Sequence, residues 1–94
     1  MLSRIPIVLD KIKQKDLNKE ILRAAIIAEM DAISLYEQMA DLTDNDEVRR
    51  VLLDVAKEEK THVGEFQALL LEQDEEQMTE LEAGKMEVEE ELRK

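Results

Sequence analysis

The sequence contains no cysteine and no tryptophan, one proline, two glycines, and one each of tyrosine and phenylalanine. The absence of cysteine excludes disulfides, thiolate metal sites, iron–sulfur and rubredoxin-type centres, and a cysteine nucleophile. In 94 residues, 39% of them charged, so few aromatics cannot fill a large independent core, and domains of this size bury too little surface to be robust alone. Long solvent-exposed helices suit such a composition. Basic residues are also short, 13 Lys and Arg against 24 Asp and Glu, for a net charge of −11. That balance argues against nucleic acid or an anionic membrane as partner. No apolar run approaches the length of a membrane span. Ile5-Pro6-Ile7-Val8-Leu9 is too short for a signal-peptide core, and no small-residue cleavage site follows it. A cytoplasmic protein is expected.

What the chain does have is acid and helical periodicity. Residues 72–94 hold ten acids against Lys85, Arg93 and Lys94, a net −7, and the first 71 residues carry the remaining −4. Residues 1–15 read as a mixed lead-in segment, with Pro6 near its start. From Asp16 onward the pattern is all-α, with helices expected over about 17–42, 46–72 and 75–92 of one domain, 16–94. In the first helix Leu22, Ile26, Glu29, Ile33, Tyr36 and Ala40 alternate spacings of 4 and 3, one stripe down a helix. A second stripe (Ile21, Ala25, Ala28, Ala32, Leu35, Met39, Leu42) widens the apolar face beyond what one packing partner needs. Thr43-Asp44-Asn45-Asp46 breaks the pattern, and Asp44 with Glu47 reads as a capping box. Beyond it Val48, Leu52, Val55, Glu59, His62, Phe66 and Leu69 form the stripe of the second helix. Asp74 with Gln77 signals a third, weaker helix carrying Met78, Leu81, Val88 and Leu92 on one side, interrupted by Gly84 at a cost of about 1 kcal/mol.

Glu29, Glu59 and His62 are ionisable residues on apolar stripes. A buried carboxylate costs several kcal/mol unless it is paired, protonated or bound to a cation. Glu29 lies about 15 residues before the turn and Glu59 about 15 after it, so an antiparallel hairpin sets them at one level. His62 is one turn beyond Glu59 on the same face. Di-iron carboxylate bundles take one Glu from each of two helices and a Glu-x-x-His from each of the other two. This chain, with Glu59-Lys60-Thr61-His62, holds half that set. A two-fold axis would complete it, giving four carboxylates to balance two divalent ions. Carboxylate oxygens with one imidazole per metal suit Fe(II) or Mn(II), and ligand type alone also admits Zn. A lone Glu-x-x-His recurs by chance in charged helices; three such residues at one level of a hairpin are a stronger signal. The alternative is a Glu–Glu–His hydrogen-bond cluster fixing the register of a helical dimer or adaptor module.

Residues 27–38 (Ile27-Ala28-Glu29-Met30-Asp31-Ala32-Ile33-Ser34-Leu35-Tyr36-Glu37-Gln38), followed by Val55-Ala56-Lys57-Glu58-Glu59-Lys60-Thr61-His62, resemble the encapsulated ferritin family. These are short ferritin-like proteins that are cargo of, or fused to, encapsulin shells. The resemblance spans about residues 17–92. It implies an antiparallel hairpin plus a C-terminal helix that dimerises into a ferritin-like four-helix bundle, with Glu29, Glu59 and His62 as ferroxidase ligands of a di-iron site shared between two chains. It further implies a homodimer, often assembled into a ring-like decamer of dimers, that delivers oxidised iron inside an encapsulin nanocompartment. Tyr36 matches the family's tyrosine near that centre. Asp31 matches an acidic position that guides metal inward. Two departures stand out: Ala28 replaces a further Glu of some members, and Glu91-Leu92-Arg93-Lys94 lacks a Gly-Ser-Leu-type targeting tail. Either targeting works differently or the chain is a domain of a shell fusion. A rubrerythrin-like peroxidase is a close variant, but the cysteine-bound iron that serves it is absent.

Remaining features carry plain readings. Tyr36, about 10.5 Å along the stripe from Glu29, is either a hydrogen-bond or electron donor to the centre or a core aromatic. Asp54, Glu58 and Glu65 read as a solvated face, and Met30 and Met39 as packing. Gly64 reads as a close-approach point or a kink.

Overall fold

The computed structural model describes residues 16–93. The expectations placed on residues 1–15 lie outside the described residues. Three helices, α1 (Leu17–Leu42), α2 (Asp46–Gln73) and α3 (Glu75–Leu92), make up the architecture. α2 runs one residue further than expected. Among the described residues there is no strand, and no helix is long and apolar enough to cross a membrane. α1 and α2 pack along their length as an antiparallel hairpin, whereas α3 meets α2 only near the bend at Asp74. The result is open: the radius of gyration is 16.6 Å, against roughly 12–13 Å for a compact chain of this length.

The turn between α1 and α2 holds itself together with few residues. Asn45 is in the extended region (φ −95°, ψ 117°), and its side chain accepts from the Val48 N–H at 2.9 Å. The expected capping box on Asp44 is therefore displaced by one residue, because only the residue directly before the first helical turn can reach that N–H. α1 has no basic residue in its last turn. Arg49 supplies one from α2: its Nε donates to the Ala40 carbonyl at 3.1 Å, Nη2 donates to the Thr43 carbonyl, and Nη1 pairs with Asp46 at 2.7 Å. Those carbonyls belong to the end of α1 that has no intrahelical donors. Arg49→Ala should therefore lower hairpin stability by about 1–2 kcal/mol, read as a fall in the urea midpoint at unchanged slope.

Asp74 plays the same part at the second bend. Its Oδ1 accepts from the Gln77 N–H at 3.0 Å, capping α3, while Oδ2 accepts from Arg23 Nη2 on α1 at 2.8 Å. The Gln77 N–H holds the Asp74 carboxyl below its ordinary value; partial burial opposes this, and Lys19 and Arg23 add to it. A depressed folded value means that the stabilisation is complete above the ordinary carboxylate range and is lost as pH falls through the depressed value. Hydrogen exchange along α3 should accordingly rise in that acid window while the Lys60–Glu37 bridge between α1 and α2, 2.9 Å long, keeps the hairpin registered. Asp74→Asn should keep the cap and remove the acid step.

The hairpin interior is small. Ile33 and Ala40 of α1 and Ala56 and Leu70 of α2 are its buried residues. On α1 the interior follows the expected first stripe. On α2 it does not. Ala56 and Leu70 lie beside the stripe read from periodicity, and members of that stripe face outward, with Val48 46% and Leu69 51% exposed. Met30, read as packing, is also exposed within the single chain. The physical reason is that a wide apolar face serves two neighbours, and periodicity cannot say which side meets its own chain. The chain presents 7544 Å² of surface, where a compact monomer of 10.9 kDa would present about 5600 Å². Gly64 and Gly84 sit inside unbroken helices, with nothing among the described residues within 4 Å of where a side chain would begin. Gly84 thus does not interrupt α3, and Gly64 marks neither a close approach within the hairpin nor a break.

Candidate metal centre

α1 places Glu29 and α2 places Glu59 and His62 at one level of the hairpin, each half-buried. One ligand atom from each lies within 4.8 Å of the others, and among the described residues this is the group with metal-ligand geometry. His62 Nδ1 is 3.4 Å from Glu29 Oε2 and 3.6 Å from Glu59 Oε2. The two carboxylate side chains are 20% and 19% exposed, while the imidazole is 44% exposed. The cluster therefore sits on the open face of the hairpin, beside its interior.

Glu29 Oε2 is buried and has no hydrogen-bond partner among the described residues. His62 Nδ1 is near enough to attract it but does not meet it along a hydrogen-bond direction. A carboxylate oxygen out of water costs free energy unless something binds it. Two carboxylates and an imidazole converging on one point, with an oxygen left over, fit a divalent cation of the iron type better than a satisfied polar cluster. The residues present thus fit the group that the spacing called for.

Two expected site residues lie apart from the three. Tyr36 is half-buried on the same side of α1, about two turns on. Asp31 is half-buried too, but two residues past Glu29 means about 200° around the helix, so within one chain it points away from the cluster. Asp54, Glu58 and Glu65 are exposed. A shallow groove of about 740 Å³ on α2, lined by Glu47, Arg50, Val51, Leu53, Asp54 and Lys57, is open to solvent and shares no residue with the cluster. Reading the sequence missed Arg49 and the Arg23–Asp74 pair, which shape the two bends. Their partners are backbone carbonyls and a residue 51 positions away, and no motif signals either.

A helical hairpin with a Glu on one helix and a Glu-x-x-His on the other, open along its ligand-bearing side, is half of a ferritin-like bundle. Comparison with known proteins agrees. The rubrerythrin family profile matches residues 20–93. The chain is 59% identical over 92 residues to the ferritin-like–encapsulin shell fusion protein of Pyrococcus furiosus, and 41% identical over 56 residues to the encapsulin nanocompartment cargo protein EncC of Myxococcus xanthus. Those matches cover 96% and 60% of this chain but only 27% and 43% of the two relatives. Among solved structures, the encapsulated ferritin domain from Pyrococcus furiosus superposes with a TM-score of 0.81 at 57% identity, covering 96% of this chain and 92% of that one. The chain belongs to the rubrerythrin family of ferritin-like proteins and, within it, to the encapsulated ferritins.

Proposed function

We propose that this chain is a ferroxidase whose di-iron site forms between two copies, and that it supplies ferric iron for storage inside an encapsulin shell. The observation that carries the proposal is the convergence of Glu29, Glu59 and His62 within 4.8 Å around an unpartnered buried carboxylate oxygen. Fe(II) is the substrate. Four ferrous ions give up one electron each to one O2, which takes four protons and leaves as two waters. Glu29, Glu59 and His62 hold the ions, and the same three from the second copy complete the set. Glu59 is the natural bridging carboxylate, being one turn from His62 on its own helix. The apolar residues around the cluster exclude bulk water once two hairpins close on each other. Tyr36, on the same side of α1, is placed to donate a hydrogen bond or an electron toward the site. Asp31 reaches an incoming cation only from outside the bundle. The encapsulin partner rests on the two relatives named for shell fusion and shell cargo. Pairing of dimers into a ring of ten is the assembly expected of the family.

Native mass spectrometry with and without Fe(II) tests this reading. The expected result is an even-numbered oligomer that takes up about one iron per chain. An oligomer that folds and binds no metal would leave the cluster as a structural register device instead. Storage separates from oxidation as well. Each bundle consumes two chains and encloses no volume, so excess Fe(II) in air should be oxidised and then precipitate visibly. Clear solutions holding hundreds of irons per oligomer, or a closed shell of this chain alone in electron micrographs, would refute that division of labour.

A further inference from the structure

α3 is an exposed helix with an apolar side and a dense acidic surface. Met78, Leu81, Val88 and Leu92 share one stripe and are 44–69% exposed, and α3 touches the hairpin only where it leaves α2. A helix with such a stripe is rarely left uncovered. The same sequence contains a segment of matching chemistry. Residues 1–15 combine Ile5, Ile7, Val8, Leu9 and Ile12 with Arg4, Lys11, Lys13 and Lys15 against Asp10 alone, a net +3 in a chain of −11. Residues 72–94 carry −7 in 23 positions, whereas residues 16–71 spread the same −7 over 56. Acid and uncovered apolar surface therefore coincide best on α3.

Position makes the pairing feasible within one chain. Arg23 on α1 meets Asp74, the cap of α3, at 2.8 Å, and Arg23 is only about 9 Å along the helix from Leu17, where α1 begins. The segment thus enters α1 close to the start of α3. Fifteen residues reach at least about 22 Å even if coiled as a helix, and about 50 Å if extended. α3 is about 27 Å long.

We propose that residues 4–15 fold back along the Met78–Leu92 stripe of α3 in the same chain, their apolar side chains covering the stripe and Lys11, Lys13 and Lys15 facing its acidic borders. Glu82 and Glu91 lie on opposite borders of that stripe by helical position. Lys85, within the stripe, is the only base between residues 75 and 92 and confines the basic residues of the segment to those borders.

Hydrogen exchange on the full chain tests the proposal. The triple variant Lys11→Glu, Lys13→Glu, Lys15→Glu should speed exchange of the 75–92 amides about tenfold while α1 and α2 keep their protection. Adding Glu82→Lys and Glu91→Lys should restore much of the slowing. Unchanged α3 exchange, or a general acceleration across all three helices, would overturn it. A second readout fixes the chain of origin. The protein has no native cysteine, so an Ile12→Cys, Met78→Cys pair can be joined by a short bifunctional reagent in a mixture of light and heavy isotope-labelled chains. Light–light and heavy–heavy links alone support docking within one chain. Abundant mixed-mass links would assign the stripe to a second copy, and no links at all would leave the segment elsewhere; either result overturns the proposal.

Discussion

Replacing Glu59 by Ala should abolish Fe(II) oxidation by this protein, with the rate of ferric absorbance growth falling by about 100-fold or more. Glu59 sits between the other two donors in the chemistry proposed here. It is 3.6 Å from His62 Nδ1 on its own helix and belongs to the group with Glu29 across the hairpin. Two copies place two such carboxylates at the bundle centre, so one substitution removes two charges and two ligands at once. A loss of 100-fold corresponds to about 2.7 kcal/mol of barrier, well within what metal ligands contribute. His62→Ala should follow it closely. Both variants should still form the hairpin, because Ile33, Ala40, Ala56 and Leu70 make the interior and neither substituted residue belongs to it. Stopped-flow absorbance under air, with far-ultraviolet circular dichroism as the folding control, checks the outcome. Full activity in either variant would remove the cluster from the mechanism.

Metal binding should also drive assembly, and this effect is the second large one. Without metal, four carboxylates meet at one level of the dimer and repel. With it, their charge is matched and the buried Glu29 oxygen gains a partner. A ligand at 1,000 times its dissociation constant stabilises the bound state by about 4 kcal/mol, which for helical units of this size amounts to a rise in melting temperature on the order of 15–30 °C. Fe(II) under nitrogen, or a redox-silent divalent ion, should produce that rise and move the sedimentation distribution from small species toward dimers and larger rings. Glu29→Gln should do the reverse of what its conservative chemistry suggests. It should raise the stability of the metal-free protein, since one repelling charge per chain is gone, and abolish most of the metal-induced increase. A compact monomer, stable at micromolar concentration and indifferent to metal, would sink the shared-site reading. The apolar stripe on α2 makes that outcome unexpected: Val48 and Leu69 remain exposed beside the hairpin interior, and apolar faces of this width are closed by a second layer of helices.

The ligand triplet is legible in the amino-acid order because its signal is local and periodic. Glu59 and His62 are three apart on one helix, and a hairpin with a short polar turn brings a residue about 15 before that turn opposite one about 15 after it. No long-range contact has to be known for that inference. The helices themselves follow from 3.6-residue periodicity and polar breaks, down to Asp74 capping α3 through the Gln77 N–H. The turn at 43–45 shows the limit of such reading. Asp44 and Asn45 are both good caps by chemistry, and only the backbone angles of Asn45 decide which of them meets Val48.

The sequence by itself determined the helices, the level at which Glu29, Glu59 and His62 meet, and the shortage of core that makes a lone hairpin insufficient. Tertiary structure decided which side of each helix its own chain covers. Ala56 and Leu70 turn inward although the more regular stripe runs through Val55 and Phe66, because two helices in van der Waals contact need small or well-fitting residues at the seam, and the wide remaining face is left open. It also decided that one arginine would close the first bend by reaching the carbonyls of Ala40 and Thr43, and that Asp74 would tie α3 to Arg23 across 51 residues. Periodicity ranks faces by hydrophobicity. Only packing assigns them to neighbours.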